Sequence, residues 1–316
     1  MHSLSRRWVP LVTAAAMALA GFLLYRTLSR YSFDQIVASV GAVPLFRLAL
    51  AGACAAASYL CLTGFDYLAL RYVGRPLSYP KAALASFTSL SLGHNIGLAF
   101  LSSGAVRYRF YSRWGLTVTQ VAKLILFCGV TVGLGMTALG GSALLLRPEL
   151  AQKITGLNLL VVLALGWACF AAVASYLVVA AFVRRPLKIR NLSFETPPLH
   201  LAIAQVLVGS ANFAFVAACL YQAIAAVADV AYIGVASVYV IANTTALISH
   251  VPGGLGVIES VVMYLLPQAD LIGSLIVFRV VYFLIPLALG SLSFALSEIA
   301  LRGRKLSMPH KGGISS

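Results

Sequence analysis

The chain has 316 residues, of which 61% are hydrophobic and 10% are charged, and its mean hydropathy is +0.94. Soluble domains are about 45–50% apolar and about 25% charged, so this composition excludes a soluble globule, a disordered chain and a disulfide-bonded scaffold. The chain carries 23 Lys and Arg against 8 Asp and Glu. In a chain this apolar, the excess of positive charge indicates membrane topology and contact with anionic headgroups, and it does not indicate nucleic-acid binding.

Six long apolar segments predict membrane-spanning helices, because their length suits the bilayer and exceeds that of alternating strands. The segments are residues 8–28, 45–70, 118–146, 157–183, 199–227 and 271–301. The first of them follows Arg6 and Arg7, as in a signal peptide. Residues 18–20, Ala-Leu-Ala, resemble a signal-peptidase site, but the apolar run continues past Ala20. We therefore predict an uncleaved first helix.

Two further segments, 81–104 and 231–267, are apolar at their edges and polar or glycine-rich in the middle. The central residues are Gly93, His94, Asn95 and Gly97 in the first segment and His250, Pro252, Gly253 and Gly254 in the second. Irregular backbone at membrane depth is tolerated where protein or water surrounds it, and glycine permits the turn at a hairpin tip. Both segments are therefore candidate re-entrant hairpins. The alternative is that each crosses the membrane once, which gives eight spanning helices.

The distribution of Lys and Arg between loops distinguishes these topologies, because positive residues concentrate on the cytoplasmic side. Eight spanning helices would leave the loop charges evenly divided between the two sides. Six full spans plus two re-entrant hairpins place 16 positive loop residues inside and 5 outside. We therefore favour the topology with two hairpins, with both termini in the cytoplasm and a basic cytoplasmic tail at 302–316.

The favoured topology divides a single membrane domain, 1–316, into two halves with the same order of helix, helix, hairpin and helix. These pseudo-repeats cover about 8–146 and 157–301. Each half crosses the membrane an odd number of times, so the second half is inverted. One constant shift along the chain, which places His94 on His250, superimposes all four elements. Inverted repeats with broken elements at mid-membrane are typical of secondary transporters; the alternative is chance superposition of evenly spaced helices.

Three of the charged residues inside predicted membrane segments are candidates for function, because charge at membrane depth is costly. Asp66 lies near the cytoplasmic end of the second helix, and Glu259 follows the glycine-rich tip. Arg279 lies in the first half of the last helix and is a candidate partner for Glu259. The alternatives are a purely structural pair of Glu259 with Arg279, and an ion pair of Asp66 with Arg71 or Arg75.

A basic stretch with interleaved aromatic residues follows the first hairpin. Guanidinium groups suit lipid phosphates, and we assign that role to Arg107. For Arg109 and Arg113 we favour an ordinary belt of positive residues at the membrane surface. His94 and His250 are either proton carriers and headgroup contacts or hairpin-tip histidines that bond the backbone.

The chain contains no nucleotide-binding, hydrolase or zinc-protease motif. Its carboxylates are too few for a dedicated metal cage, and its five cysteines have no metal-binding spacing. We therefore expect no catalytic residue, no metal, no cofactor and no ATP hydrolysis by this chain.

Three motifs resemble the lysylphosphatidylglycerol synthase transmembrane-region family, which includes the flippase part of the multiple peptide resistance factors and related uncharacterised inner-membrane proteins. The motifs are SHVPGGLGVIE at 249–259, TGFDYLALR at 63–71 and GAVRYRFYSRWGL at 104–116. The resemblance covers roughly residues 45–300. It implies lipid translocation in the bacterial inner membrane, with Asp66, Arg107 and Glu259 lining the headgroup path. No part of the chain resembles the family's soluble aminoacyltransferase domain, so the resemblance leaves the lipid open.

The leading interpretation is translocation of a phospholipid between the leaflets of the inner membrane. Aminoacylated phosphatidylglycerol or another headgroup-modified lipid is the candidate substrate. One alternative is a non-catalytic membrane subunit that docks a separate lipid synthase. Another is a membrane-embedded headgroup transferase that uses His94 or His250. The expected partners are anionic membrane phospholipids; a homo-oligomer is compatible with the sequence.

Overall fold

The computed structural model describes residues 32–96, 99–183, 187–189, 192–249, 251–266 and 271–306. The predicted first span at 8–28 lies outside these ranges, as do Gly97, His250 and the last ten residues of the predicted tail. At Asn95 and Pro252 only the backbone is described.

The described chain is helical apart from one short β-hairpin, and the all-α prediction is confirmed. The helices are α1 (Phe33–Ala42), α2 (Leu45–Tyr72), α3 (Tyr79–Ile96), α4 (Ala99–Arg113), α5 (Val118–Leu146), α6 (Pro148–Thr155), α7 (Leu159–Phe182), α8 (Leu199–Ile224), α9 (Tyr232–Ser249), α10 (Val257–Leu265), α11 (Ile272–Arg279) and α12 (Ile285–Leu306). A 3₁₀ turn at Pro252–Gly254 precedes α10, and a π turn at Val280–Leu284 joins α11 to α12. The strands β1 (Leu187–Ile189) and β2 (Leu192–Phe194) pair antiparallel.

Six of the described helices are long and apolar enough to cross a bilayer, so the chain is a polytopic membrane protein. Five of them agree with predicted spans: α2, α5, α7, α8 and the continuous helix Ile272–Ile299. The sixth is α9, which is the first arm of the second predicted hairpin. Its 18 residues extend for about 27 Å at about 1.5 Å per residue, close to the thickness of a hydrocarbon core.

The ends of α2 and α8 show that these two central helices are antiparallel. Arg47, at the start of α2, donates to Gln222 Oε1 near the end of α8 at 2.8 Å. Tyr72, at the end of α2, donates to the carbonyl oxygen of Glu195 just before α8 at 2.6 Å. We call the two ends of the helix bundle the Arg47 side and the Tyr72 side.

Helix α5 runs parallel to α8 and therefore starts on the Tyr72 side. Gln205 of α8 donates to the carbonyl oxygen of Phe127 at 3.1 Å and to Thr131 Oγ1 at 3.0 Å. One turn further along both helices, Gly209 packs against Gly135. Helix α5 then ends on the Arg47 side, where α6 connects it to α7.

Each of the two broken segments folds into a pair of helices that pack against each other. In the first hairpin, α3 starts shortly after Tyr72, and α4 ends shortly before α5 begins, so both outer ends lie on the Tyr72 side. In the second hairpin, α9 starts shortly after α8 ends. The end of α10 lies beside α6, because Lys153 donates to the carbonyl oxygen of Tyr264 at 3.3 Å. Both outer ends of the second hairpin therefore lie on the Arg47 side.

The two hairpins have corresponding packing partners. Helix α3 packs on α2, on α4 and on α12, whereas α9 packs on α8, on α10 and on α5. The tip at Pro252–Gly254 contacts α3, so the hairpins meet inside the bundle. The long helices thus surround a central region that His94 of the first hairpin and the tip of the second hairpin both reach.

Helices α5 and α8 approach each other closely at two glycines. A Cβ atom added at Gly135 would lie 2.3 Å from the carbonyl carbon and 2.4 Å from the carbonyl oxygen of Gly209. A Cβ atom at Gly209 would lie 2.5 Å from the carbonyl oxygen of Thr131. Small residues at such crossings let membrane helices pack through their backbones.

We expect Gly135→Ala to destabilise the protein, because the clash is with backbone and relief requires α5 and α8 to separate. Overpacking costs about 1–3 kcal/mol, and a backbone clash belongs at the upper end of that range. The fraction of detergent-solubilised protein that stays monodisperse after heating measures the effect. Gly133→Ala is the matched control, since a Cβ there has no heavy atom within 4 Å. Equal losses in the two variants would contradict the packing.

Candidate functional site

A cavity of about 360 Å³ lies where the two hairpins meet. Helices α2, α3, α4, α5, α8, α9 and α10 line it, together with the second tip and the π turn. The lining is mainly apolar and aromatic, and its hydrogen-bonding side chains include His94, Ser103, Arg107, Asn212, Asn243 and Tyr282. Small-molecule sites commonly have volumes from about 300 Å³ upward and combine an apolar wall with a few polar groups.

The cavity borders the surface between α5 and α9. Its lining residues on α2, α4 and α8 are buried, whereas Ile125, Gly129 and Asn243 are half-buried. Leu247, which also lines the cavity, is 56% exposed. This flank is therefore the exposed side of the cavity.

Arg107 lines one wall of the cavity and makes an ion pair with Asp66 behind it. Arg107 Nη2 lies 2.7 Å from Asp66 Oδ1, and Nε lies 3.0 Å from Oδ2, so the carboxylate accepts a two-pronged interaction. Asp66 is 0% exposed and Arg107 is 3% exposed. Breaking such a pair would leave an uncompensated charge in a dry interior.

Further donors fix the Asp66 carboxylate between three helices. Tyr111 of α4 donates to Oδ2 at 2.7 Å, and the thiol of Cys128 on α5 lies 3.6 Å from Oδ1. Arg107 Nη1 donates to Ser103 Oγ at 3.1 Å. Both oxygens of Asp66 are therefore occupied by donors from its own protein.

Arg107 lines the cavity and retains hydrogen-bonding capacity. A guanidinium group carries five N–H donors. The contacts with Asp66 and Ser103 use three, and two have no partner among the described residues. Arg107 lines the cavity and Asp66 does not, so the positive end of the pair faces inward. This arrangement suits an anionic group.

A chain of neutral polar groups lies on another wall. Ser58 Oγ donates to Asn212 Oδ1 at 2.7 Å, and Ser58 Oγ lies 3.0 Å from the Tyr282 hydroxyl. Because Ser58 has only one hydroxyl proton, Tyr282 is the donor in the second bond. The amide nitrogen of Asn212 has no partner in the described part of the chain. Asn212 and Tyr282 both line the cavity, and Tyr282 lies in the π turn, a feature frequent at functional sites.

The second hairpin tip is built on three glycines with positive φ. The angles are 61° at Gly253, 58° at Gly254 and 83° at Gly256. A Cβ atom at Gly254 would lie 2.9 Å from Ala246 Cβ, so the tip also packs closely on α9. Residues with side chains would be strained in this backbone, which explains the glycine-rich motif.

The ion pair of Arg279 and Glu259 bonds the backbone of this tip on the side away from the cavity. Arg279 Nε lies 2.7 Å from Glu259 Oε1, and Nη2 lies 3.0 Å from Oε2. Arg279 also donates to the carbonyl oxygens of Gly253 and Gly254, and Glu259 Oε2 accepts from the N–H of Gly256 at 2.8 Å. Neither charged side chain lines the cavity. The ion pair instead bonds the backbone of the tip, and the tip's Gly253 and Gly254 line the cavity.

A third buried carboxylate joins the first hairpin to the last helix. Arg109 donates to Glu298 through Nε at 2.7 Å and through Nη2 at 2.6 Å, and Arg113 adds a contact at 2.9 Å. Glu298 is buried, and none of the three lines the cavity. These two arginines therefore anchor α4 to α12.

The structure divides the predicted site residues into three places. His94 and Arg107 line the cavity, as do Gly253 and Gly254. Asp66 lies behind Arg107, whereas Glu259 and Arg279 lie behind the second tip; Gly93 is buried in α3. Asp66 pairs with neither Arg71 nor Arg75; Arg71 instead donates to the Tyr67 hydroxyl at 2.7 Å.

His94 is enclosed by aromatic rings at the end of α3. Its ring stacks with that of Tyr282 at 6.4 Å between centroids and an angle of 19°, and it lies 6.3 Å from the ring of Tyr59. Its Nδ1 atom is buried and has no hydrogen-bond partner among the described residues. Within the same residues, no group of three His, Cys, Asp or Glu side chains could hold a metal ion, and the absence of a metal stays a prediction.

Comparison with known proteins identifies the relatives of this chain. No family model matches it. The uncharacterised protein slr0712 of Synechocystis sp. is 30% identical to it over 282 residues, which cover 88% of each chain. The chain belongs to the family of slr0712. The inner membrane protein YbhN of Escherichia coli strain K12 is 29% identical over 260 residues, or 76% of this chain and 77% of that protein.

These relatives place the chain in a membrane-protein family without naming a substrate. The narrower resemblance to the lysylphosphatidylglycerol synthase transmembrane region stays a prediction. Reasoning from the sequence also missed three buried polar residues of this chain that bond other helices: Glu298, Asn212 and Gln205. Glu298 could have been found by the criterion that selected Asp66 and Glu259, since it is an acid inside an apolar helix. Asn212 and Gln205 carried a weaker signal, because uncharged amides are common in membrane helices that pack on neighbours.

Proposed function

We propose that this protein moves phospholipids between the leaflets of the bacterial inner membrane, with the headgroup passing through the cavity between the hairpins and without ATP hydrolysis. The observation that carries the proposal is that a buried arginine, Arg107, lines the cavity. It is the one charged side chain in the described lining, and its unused N–H donors belong to a buried wall. Arginine suits phosphate because its planar fork matches the phosphate oxygens.

The proposed topology has two re-entrant hairpins that enter from opposite faces of the membrane. It is supported by the shared side of each hairpin's two outer ends and by the corresponding packing of α3 and α9. Positive residues favour the cytoplasm as the Tyr72 side, where Arg71, Arg75 and Arg113 lie. The name of YbhN supports the inner membrane as the location. The same packing supports the proposal of an inverted repeat.

The cavity would lower the main barrier to lipid translocation, which is the cost of placing a charged headgroup at membrane depth. Arg107 would neutralise the phosphate, and the amides of Asn212 and Asn243 would replace part of its hydration. The acyl chains would stay in the lipid at the flank between α5 and α9, where Leu247 is exposed. These contacts would serve a headgroup moving in either direction across the membrane. A lipid gradient or an ion gradient would therefore set the net direction of lipid movement.

Asp66 has a supporting role in this mechanism. Arg107 would be costly to keep charged in a bilayer without a counter-ion. The paired carboxylate pays that desolvation cost and holds the guanidinium plane in one orientation. The phosphate would therefore meet a preorganised donor rather than a mobile side chain.

Reconstitution into liposomes tests the proposal. Purified protein is placed in vesicles that contain phosphatidylglycerol with a dithionite-sensitive fluorophore on an acyl chain. Without translocation, dithionite bleaches only the outer leaflet. We expect near-complete bleaching in vesicles that contain the protein, and vesicles with a trapped soluble fluorophore check for leaks. Half-bleaching with every labelled phospholipid, for folded protein in sealed vesicles, would overturn the proposal.

A further inference from the structure

We infer that the headgroup this cavity accepts carries a phosphate and no cationic group, so that phosphatidylglycerol fits and aminoacylated or amine-bearing lipids do not. The inference rests on the proposed function and names its substrate class. It differs from the expectations drawn from the sequence, which place Asp66 and Glu259 on the headgroup path and name aminoacylated phosphatidylglycerol as a candidate substrate.

Every buried acid in the described chain is already paired with an arginine. Asp66 accepts from Arg107, and Glu259 accepts from Arg279. Glu298 accepts from two arginines of α4. None of the three carboxylates lines the cavity. A lipid ammonium group that entered would therefore find the guanidinium of Arg107 and no opposite charge.

The four other acids in the described part of the chain lie away from the cavity. Asp34, Glu149, Glu195 and Asp229 are exposed at helix ends or in connections. Asp270 lies outside the described residues. The whole chain has only 8 Asp and Glu, so these account for all of them.

The described polar lining other than Arg107 is neutral. Asn212 offers an amide nitrogen without a partner, and Asn243 has only a weak contact from Nδ2 to Met136 Sδ at 3.5 Å. Ser103 and Tyr282 add hydroxyl groups. Amides and hydroxyls bond the hydroxyls of a polyol headgroup without a net charge. A site built on hydrogen bonds discriminates strongly against a group that leaves them unpaired.

A headgroup series in the liposome assay tests the inference. The probes are phosphatidylglycerol, lysyl-phosphatidylglycerol, phosphatidylethanolamine and phosphatidylcholine, each with the same labelled acyl chain. We expect phosphatidylglycerol to cross roughly tenfold faster or more than each of the others. Equal or faster movement of any cation-bearing lipid would overturn the inference and leave the proposed function standing. Movement of none of the four would overturn the proposed function.

An isosteric substitution in the cavity gives a second test. Asn243→Asp adds a carboxylate to the lining at constant side-chain shape. We expect phosphatidylglycerol translocation to fall roughly tenfold and the preference to shift toward the amine-bearing lipids. Asn158→Asp is the control, because Asn158 caps α7 outside the cavity and Asp is an equally good N-cap. An unchanged lipid preference in folded Asn243→Asp protein would overturn the inference.

A third measurement separates a lipid phosphate from a soluble one. The same vesicles are incubated with radiolabelled inorganic phosphate. We expect no uptake above that of protein-free vesicles. Phosphate uptake that Asn243→Asp abolishes would show that the cavity serves a soluble anion, and would overturn the assignment to a lipid headgroup.

Discussion

Arg107→Gln is expected to abolish headgroup translocation and to destabilise the protein more than replacement of both members of its ion pair. The single change leaves Asp66 buried at 0% exposure with only Tyr111 and Cys128 as donors. Removing one partner of a buried pair costs about 3–5 kcal/mol, whereas replacing both is often close to neutral. The melting temperature in detergent should therefore fall by roughly 10 °C in Arg107→Gln. It should recover in the double variant Asp66→Asn with Arg107→Gln.

The double variant separates the proposed role of Arg107 from its role in stability. We expect it to fold. We also expect phosphatidylglycerol to be translocated in vesicles with this variant no faster than in protein-free vesicles. Arg109→Gln with Glu298→Gln is the matched control, because it neutralises a buried arginine–carboxylate pair outside the cavity. That control should keep translocation within about threefold of the unchanged protein, since Arg113 remains to contact α12. Normal translocation by the Asp66→Asn, Arg107→Gln protein would show that the cavity charge has no part in transport.

The spanning helices could be predicted because their signal is local. An apolar run long enough to cross a bilayer has few other structures open to it, since every backbone group must be paired internally. The ends of α2, α5 and α7 lie within a few residues of the predicted limits. The breaks in the two hairpins were also visible, because glycine and polar residues interrupt otherwise apolar segments. Whether α9 crosses the bilayer depends on its partners, and neither its length nor its composition decides that.

The pairing of charged residues could be predicted less well, because it depends on distant parts of the chain. Arg71 and Arg75 are near Asp66 in sequence, yet Asp66 pairs with Arg107 on another helix. Glu298 is still farther in sequence from Arg109. Such contacts follow from the way in which the hairpins insert between the long helices. The cavity has the same origin, since its hydrogen-bonding residues come from α3, α4, α8, α9 and the π turn.

Arg279→Lys is expected to reduce translocation by roughly tenfold or more, although it keeps the buried positive charge. The guanidinium of Arg279 bonds both oxygens of Glu259 and the carbonyl oxygens of Gly253 and Gly254. A lysine ammonium group is a compact charge without a planar fork and cannot make this set of contacts. The tip would then lose the anchor that holds three glycines at positive φ. Because Gly253 and Gly254 line the cavity, its shape would change with them.

Two readouts distinguish this positioning role from a general loss of stability. Hydrogen exchange at the amides of 251–256 should become faster in Arg279→Lys, while exchange in α2 and α8 stays the same. Arg147→Lys is the control, because Arg147 pairs with Glu149 at the exposed end of the bundle, where ion pairs contribute about 0–1 kcal/mol. The control should match the unchanged protein in both exchange and translocation. If Arg279→Lys keeps slow exchange at the tip and full translocation, Arg279 does not set the tip's geometry, and the cavity is shaped by the glycine backbone and its packing on α9 alone.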